Sequence, residues 1–196
     1  MKDILCIIPA RSGSKGVKNK NFLKVKDKML IQYTIDSAKK ISKYCDILIS
    51  SDSPKTEKIC KKNNLKFYGL RPKKLSGDKV ETYEVVNYEL KKIEKGIKKY
   101  NYILLLQPTC PLRDYRKLLK AIKKIKSKKY DSVISIKDVN ENHPLRMKKI
   151  VNNYVINYAE INKENMKPRQ SLPKVYIRSG SIYLFERNVL LKQKSM

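Results

Sequence analysis

Histidine occurs once in this 196-residue chain, at His143, and none of its four cysteines (Cys6, Cys45, Cys60 and Cys110) belongs to a CxxC pair. His-rich zinc sites and Ser-His-Asp catalysis therefore lack their parts. No apolar run approaches the ~18 residues of a membrane span. The opening MKDILCIIPARSG holds an apolar stretch that soon ends in charge. It is too short for a secretory signal and has no small-residue cleavage site. Scattered thiols without such a signal read as reduced, cytoplasmic and mostly buried, so no disulfide is expected. The GxxxxGK[ST] and GxGxxG phosphate fingerprints are missing, as are internal repeats and low-complexity linkers.

Acidic residues are scarce too. Against 46 Lys and Arg stand 18 Asp and Glu, a formal charge of +28. Of the basic residues 38 are Lys and 8 are Arg, spread from Lys2 to Lys194 among abundant Ile and Asn. Proteins that read nucleic acid concentrate charge on one face and favour Arg for bidentate contacts. The even spread of lysine reads instead as a compositional bias of the coding genome, and no nucleic-acid partner is expected. A basic nucleic-acid-binding α/β module is the competing reading, identifiable by oligonucleotide binding that falls steeply with salt.

What is present is an apolar content of 41%, enough for a real core, in a length that fits one main domain. Asp3–Pro9 is a continuous apolar run, the mark of a strand covered on both faces. A polar loop, Ala10 to Asn21, follows. Ile31, Ile35, Ala38 and Ile41 then recur at helical spacing, Asp46–Ser50 is a second buried strand, and Ser53-Pro54 opens another helix. Leu65–Tyr68 reads as a short third strand. Val86, Leu90, Ile93 and Ile97 make an amphipathic helix. Tyr102–Leu106 is the most buried-looking strand, and the stripe Leu118, Leu119, Ile122 and Ile125 precedes a strand at Ser132–Ile136.

This alternation predicts an α/β fold, a mostly parallel, doubly wound sheet with helices on both faces. Ligands in such folds lie beyond the carboxyl ends of the strands. That places the loops Ala10–Asn21, Ser51-Asp52 and Gln107–Arg113 at the site. The polar, Asn-rich stretch 142–165 does not read as another αβ unit. A strand pair or oligomerisation arm at 139–173, set into one domain over 1–196, is expected there. Val175–Phe185 reads as a last strand containing Gly180.

The first loop, ARSGSKGVKNKN, offers Gly13 and Gly16 for close backbone approach and Arg11, Lys15 and Lys20 as cations. Such a loop suits a phosphate. The larger segment Ile7–Asn21, IIPARSGSKGVKNKN, closely resembles the N-terminal motif of the CMP-sialic acid synthetases, cytidylyltransferases that activate nine-carbon acidic sugars. Five more blocks match in order: Ser51-Asp52; Arg71-Pro72 through Leu75 to Asp78; Leu106–Arg113 (LQPTCPLR); Pro168-Arg169-Gln170 with Leu172-Pro173; and Gly180–Tyr183.

The resemblance implies a Rossmann-like nucleotidyltransferase fold, a homodimer joined through the arm, and a reaction. The sugar's anomeric hydroxyl attacks the α-phosphorus of CTP, pyrophosphate leaves, and Mg²⁺ assists. It also implies roles. Ala10, Arg11, Ser14, Lys15, Gly16, Lys20 and Asn21 would surround the nucleotide, with Arg11, Lys20 and Asn21 catalytic. Arg71 and Asp78 would approach the cytosine and ribose, although Asp78 could equally cap the helix that starts near Glu81. Gln107, Arg169 and Arg178 would bind the sugar acid. Arg113 is either structural or anion-facing, Cys110 is a packed residue where relatives carry Ser, and His143-Pro144 marks a turn.

In the resembled family a strand and helix follow the position of Met196 and carry an Asp-x-Asp pair that holds magnesium. No Asp-x-Asp occurs in this sequence. Asp52 and Asp78 are the nearest carboxylates, and neither is assigned as a metal ligand. The expectation on that ground is a shortened chain that binds CTP weakly and turns over poorly. The candidate sugar acids are neuraminate, legionaminate and pseudaminate.

Overall fold

The computed structural model describes residues 2–14, 16–96, 99–139, 141–159 and 168–194. The chain forms two compact units, residues 1–135 with 180–196, and residues 136–179. The elements of the first are β1 (Ile4–Pro9), β2 (Lys24–Val25), β3 (Lys28–Met29), α1 (Leu30–Lys39), β4 (Cys45–Ser50), α2 (Lys55–Lys62), α3 (Thr82–Glu94), β5 (Tyr102–Leu105) and α4 (Tyr115–Lys126). Strand β6 (Ser132–Asp138) leads into the second unit, which contains the hairpin β7 (Lys148–Val151) and β8 (Tyr154–Asn157). Strand β9 (Tyr176–Glu186) returns to the first unit, and α5 (Arg187–Gln193) follows it.

The main sheet has the order β4-β1-β5-β9-β6. Strand β1 runs parallel to both β4 and β5, with Ile4 opposite Cys45 on one side and Tyr102 on the other. The expected parallel strands are thus present, and β9 joins them antiparallel to β5, in the register Tyr102 to Glu186.

Alternation along each central strand divides the core in two. Ile4, Cys6 and Ile8 of β1, with Tyr102 and Leu104 of β5, pack with Ile31, Ile35 and Ala38 of α1 and Leu118, Ile122 and Ile125 of α4. Leu5, Ile7, Ile103 and Leu105 face the other way, onto Val86, Leu90 and Ile93 of α3 and Leu190 of α5. A strand covered on both faces has no polar positions to offer, hence the uninterrupted run read at 3–9. Each such Ile or Leu contributes roughly 1.5–3 kcal/mol by burial. Helix α4 opens on Asp114, whose carboxylate accepts the Arg116 N–H at 2.8 Å, a typical N-cap.

Leu65–Tyr68 is not a strand. A cavity of about 350 Å³ lies between these residues and Asp46 and Ile47 of β4, where a ladder would have to form. Leu65 and Phe67 still pack against the core, which accounts for their apolar pattern. Helix α3 ends at Glu94, and Ile97 lies outside the described residues.

In the second unit β7 and β8 pair antiparallel, Lys148 opposite Asn157, across a two-residue turn of left-handed Asn152 and Asn153, the type I′ choice. The strand pair expected within 139–173 is this hairpin. His143 is buried, its Nδ1 accepting the Leu145 N–H at 3.2 Å and its Nε2 lying 3.0 Å from the Pro173 carbonyl oxygen. It is a turn residue, as expected.

Candidate active site

Strands β1 and β5 end side by side, and the loops that leave them open onto a cavity of about 530 Å³. The loop after β1 contributes Arg11, Ser14, Gly16, Lys20 and Asn21; the segment before α3 contributes Arg71 and Asp78; the turn after β5 contributes Gln107, Pro108 and Thr109. The cavity thus gathers eight residues that the sequence singled out from three separate stretches. Ala10 is buried just beneath, its N–H donating to the Ser50 carbonyl at 2.8 Å and extending the β1–β4 pairing.

The β1 loop is tied at both ends. Asn21 is buried and donates from Nδ2 to the Arg11 carbonyl at 3.1 Å, closing an eleven-residue excursion. Lys20 to Phe22 form a single 3-10 turn after left-handed Asn19, which brings Lys20 to the cavity wall. Ser12, which the sequence did not single out, donates both its N–H (2.8 Å) and its hydroxyl (2.6 Å) to Asp52 in the loop after β4. Burial penalises the Asp52 charge, yet the two Ser12 hydrogen bonds, its own backbone and Arg71 outweigh this and hold its carboxyl below the usual range. A Cβ added at Gly13 or Gly16 would meet nothing within 4 Å, so the packing of the protein does not itself demand glycine there. Lys15 lies outside the described residues.

Opposite the loop, Arg71 is buried with its Nε donating to Ser76 Oγ at 3.1 Å and its Nη1 to Ser50 Oγ at 3.4 Å. Ser50 in turn donates to buried Glu89 at 2.8 Å, and Lys92 pairs with the other Glu89 oxygen at 2.6 Å. Burial lowers the Arg71 pKa, and Asp52 and Glu89 work against that shift. Arg11 meets Asp78 directly, Nη2 to Oδ1 at 2.7 Å. The start of α3 is served by Glu84, whose carboxylate accepts the Glu81 N–H at 3.1 Å. Asp78 therefore belongs to the cavity pair and not to the helix cap.

Arg113 is structural. Its Nε donates to the Ser181 carbonyl at 2.8 Å, its Nη1 to Thr34 Oγ1 at 2.9 Å, and its Nη2 to the Gln107 carbonyl. Burial pulls its pKa down to about 10. Arg169 and Arg178 belong to the second unit, the former in a 3-10 turn over Arg169–Ser171 and the latter exposed on β9.

Among the described residues no three His, Cys, Asp or Glu side chains cluster as a metal cage. Asp52 is engaged by Ser12 and Asp78 by Arg11, so these carboxylates do not fit a protein-built magnesium site. No described helix is long and apolar enough to cross a membrane.

The chain matches the family described as Cytidylyltransferase over residues 5–194. It belongs to the cytidylyltransferase family. Two Campylobacter proteins are each 32% identical to it over 197 residues, 100% of this chain and 83% of theirs. They are post-translational flagellin modification protein B of Campylobacter coli and the CMP-N,N'-diacetyllegionaminic acid synthase of Campylobacter jejuni. An N-acylneuraminate cytidylyltransferase of Escherichia coli is 30% identical over 94% of the chain, which spans only 44% of that protein. Among solved structures, a CMP:2-keto-3-deoxy-manno-octonic acid synthetase complexed with CTP superposes with a TM-score of 0.71. It shares 18% identity, over 99% of this chain and 78% of its own. That likeness carries the cytidylyltransferase fold.

Proposed function

We propose that this cytidylyltransferase couples CTP to a nine-carbon acidic sugar, giving a CMP-sugar and pyrophosphate. The carrying observation is the convergence of Arg11, Lys20 and Arg71 with Gln107-Pro108-Thr109 on one cavity at the ends of β1 and β5. One wall is cationic and suits a triphosphate; the other presents an amide and a hydroxyl and suits a polyhydroxylated acceptor.

In the reaction the anomeric oxygen forms a bond to the α-phosphorus and gives up its proton as the bond to the pyrophosphate oxygen breaks. The nucleophile is a hydroxyl and the leaving group an anion, so the protein's task is alignment and charge stabilisation. Arg11 and Lys20 neutralise charge that develops on the departing phosphates. Asn21 holds the β1 loop so that its N–H groups face the nucleotide, and Ser12 with Asp52 fixes its other side. Arg71 and the loop to Asp78 approach the cytosine and ribose, and Gln107 approaches the sugar acid.

The candidate acceptors are legionaminate-type and neuraminate-type acids, since the cytidylyltransferases named for each are 32% identical over 100% and 97% of the chain. The same reading carries a homodimer. Ile150, Tyr154 and Val155 of the β7–β8 hairpin are 75, 75 and 68% exposed, and a cluster of this kind marks a protein–protein surface. Pyrophosphate release from CTP, ATP, GTP and UTP with each of several nonulosonic acids tests the function. Release with CTP and a nonulosonate alone is expected. Equal release from all four nucleotides, or none from any, refutes it.

A further inference from the structure

We propose that Arg113 is the positioning residue of the acceptor wall, holding the Gln107–Thr109 turn in the register in which the Gln107 amide meets substrate. This deepens the function proposed above and rests on it. The guanidinium reaches three elements at once: the turn after β5 through the Gln107 carbonyl, β9 through the Ser181 carbonyl, and α1 through the Thr34 hydroxyl. No described carboxylate pairs with it. A half-buried cation without a counter-charge is tolerated when its nitrogens find acceptors, and here each of the three nitrogens donates once, to two main-chain carbonyls and a hydroxyl. Packing alone could be supplied by an apolar side chain. The planar fork supplies direction, which lysine lacks.

The floor beneath Gln107 is set by the same contact. Gly180, the residue before Ser181, has φ +77°, and a Cβ there would lie 3.2 Å from Cys110 Sγ and 3.3 Å from Gln107 Oε1. The Gln107 side chain and the Cys110 thiol therefore rest against bare backbone, one residue from the carbonyl that Arg113 holds. Arg113 fixes the Gln107 main chain from one side, and Gly180 limits its side chain from the other.

The test combines kinetics with an activity-independent probe. Arg113→Lys is expected to raise the KM for the sugar acid about tenfold while the KM for CTP stays within about twofold, one directed hydrogen bond's worth of discrimination. In a Gln107→Ala background the same substitution is expected to add less than about twofold, the coupling that marks residues acting as a unit. Gly180→Ala, which crowds Gln107 Oε1 and strains the backbone beside the Ser181 carbonyl that Arg113 holds, is expected to reproduce the sugar-selective rise. Alkylation by iodoacetamide reads the turn directly. In folded wild type Cys6, Cys45 and Cys60 are buried, and Arg113→Lys is expected to accelerate the modification of Cys110 alone. Unchanged Cys110 labelling, or kinetic effects that simply multiply between the Gln107 and Arg113 variants, overturns the proposal. Wild type that makes no CMP-sugar overturns the assigned reaction instead, and the labelling rate still decides the positioning role.

Discussion

Arg11 and Asp78, 67 positions apart in sequence, meet at the wall of the cavity beyond β1 and β5 at 2.7 Å, each side chain about one-third exposed (33 and 34%). A cation expected to serve phosphate is here held by a carboxylate. Phosphate and carboxylate compete for the same guanidinium face, so a phosphate entering the cavity, as the proposed function requires, must displace Asp78 or share Arg11 with it. Asp78→Asn is therefore expected to tighten binding of inorganic pyrophosphate roughly two- to fivefold, the scale of a partly exposed ion pair. Calorimetric titration measures this. Weaker binding by the Asn variant contradicts the displacement.

Lys20 stands at the cavity wall at the end of the β1 loop. Lys20→Ala is expected to lower kcat/KM by about 10²–10³, in line with loss of one charge-stabilising donor. Its unfolding midpoint should stay near wild type because the side chain is not part of the core. A continuous pyrophosphate assay with thermal melts separates the two effects.

The buried Glu89 carboxylate holds Ser50 at 2.8 Å and Lys92 at 2.6 Å, and Ser50 accepts from Arg71. Glu89→Ala leaves the buried Ser50 hydroxyl without its acceptor and removes a negative charge that offsets buried Arg71. A loss of about 2–4 kcal/mol is expected by urea unfolding, whereas Glu89→Gln, which keeps an acceptor, should cost less.

Asp52 carries a pH prediction. Its folded pKa lies below that of the unfolded chain, since the Ser12 bonds and Arg71 outweigh burial. The stability it contributes is complete above the unfolded value and is lost as pH falls through the folded one, a window that begins near pH ~4 and extends downward. Between neutral pH and pH ~3, Asp52→Asn should lose less stability than wild type. Parallel loss in the two proteins would show that the Ser12–Asp52 tie contributes nothing.

Much of this arrangement was legible in the sequence, for physical reasons. Strand β1 could be read because burial on both faces leaves an unbroken apolar run, and α3 and α4 because one-sided burial imposes a helical period. The cavity residues were found through motif likeness, which fixes position in a fold without fixing contacts. Leu65–Tyr68 misled because apolar residues that pack from an irregular segment look like a strand. The antiparallel pairing of β9 was not readable, since strand direction depends on topology that local pattern does not encode. Ser12 and Thr34 gave no signal, being small hydroxyls whose partners lie 40 and 79 positions away. Glu89 did leave one: a carboxylate in line with Val85, Val86, Leu90 and Ile93 on the buried stripe of α3 announces a buried polar partner.

The most direct test of the account follows the bridging oxygen. The protein is incubated with CTP, Mg²⁺ and a nonulosonic acid labelled with ¹⁸O at its anomeric hydroxyl, and the products are weighed by mass spectrometry. A CMP-sugar that retains the label between sugar and phosphorus is expected, with unlabelled pyrophosphate. A folded protein that yields no CMP-sugar, or one in which the label is lost from the bridge, contradicts the proposed reaction.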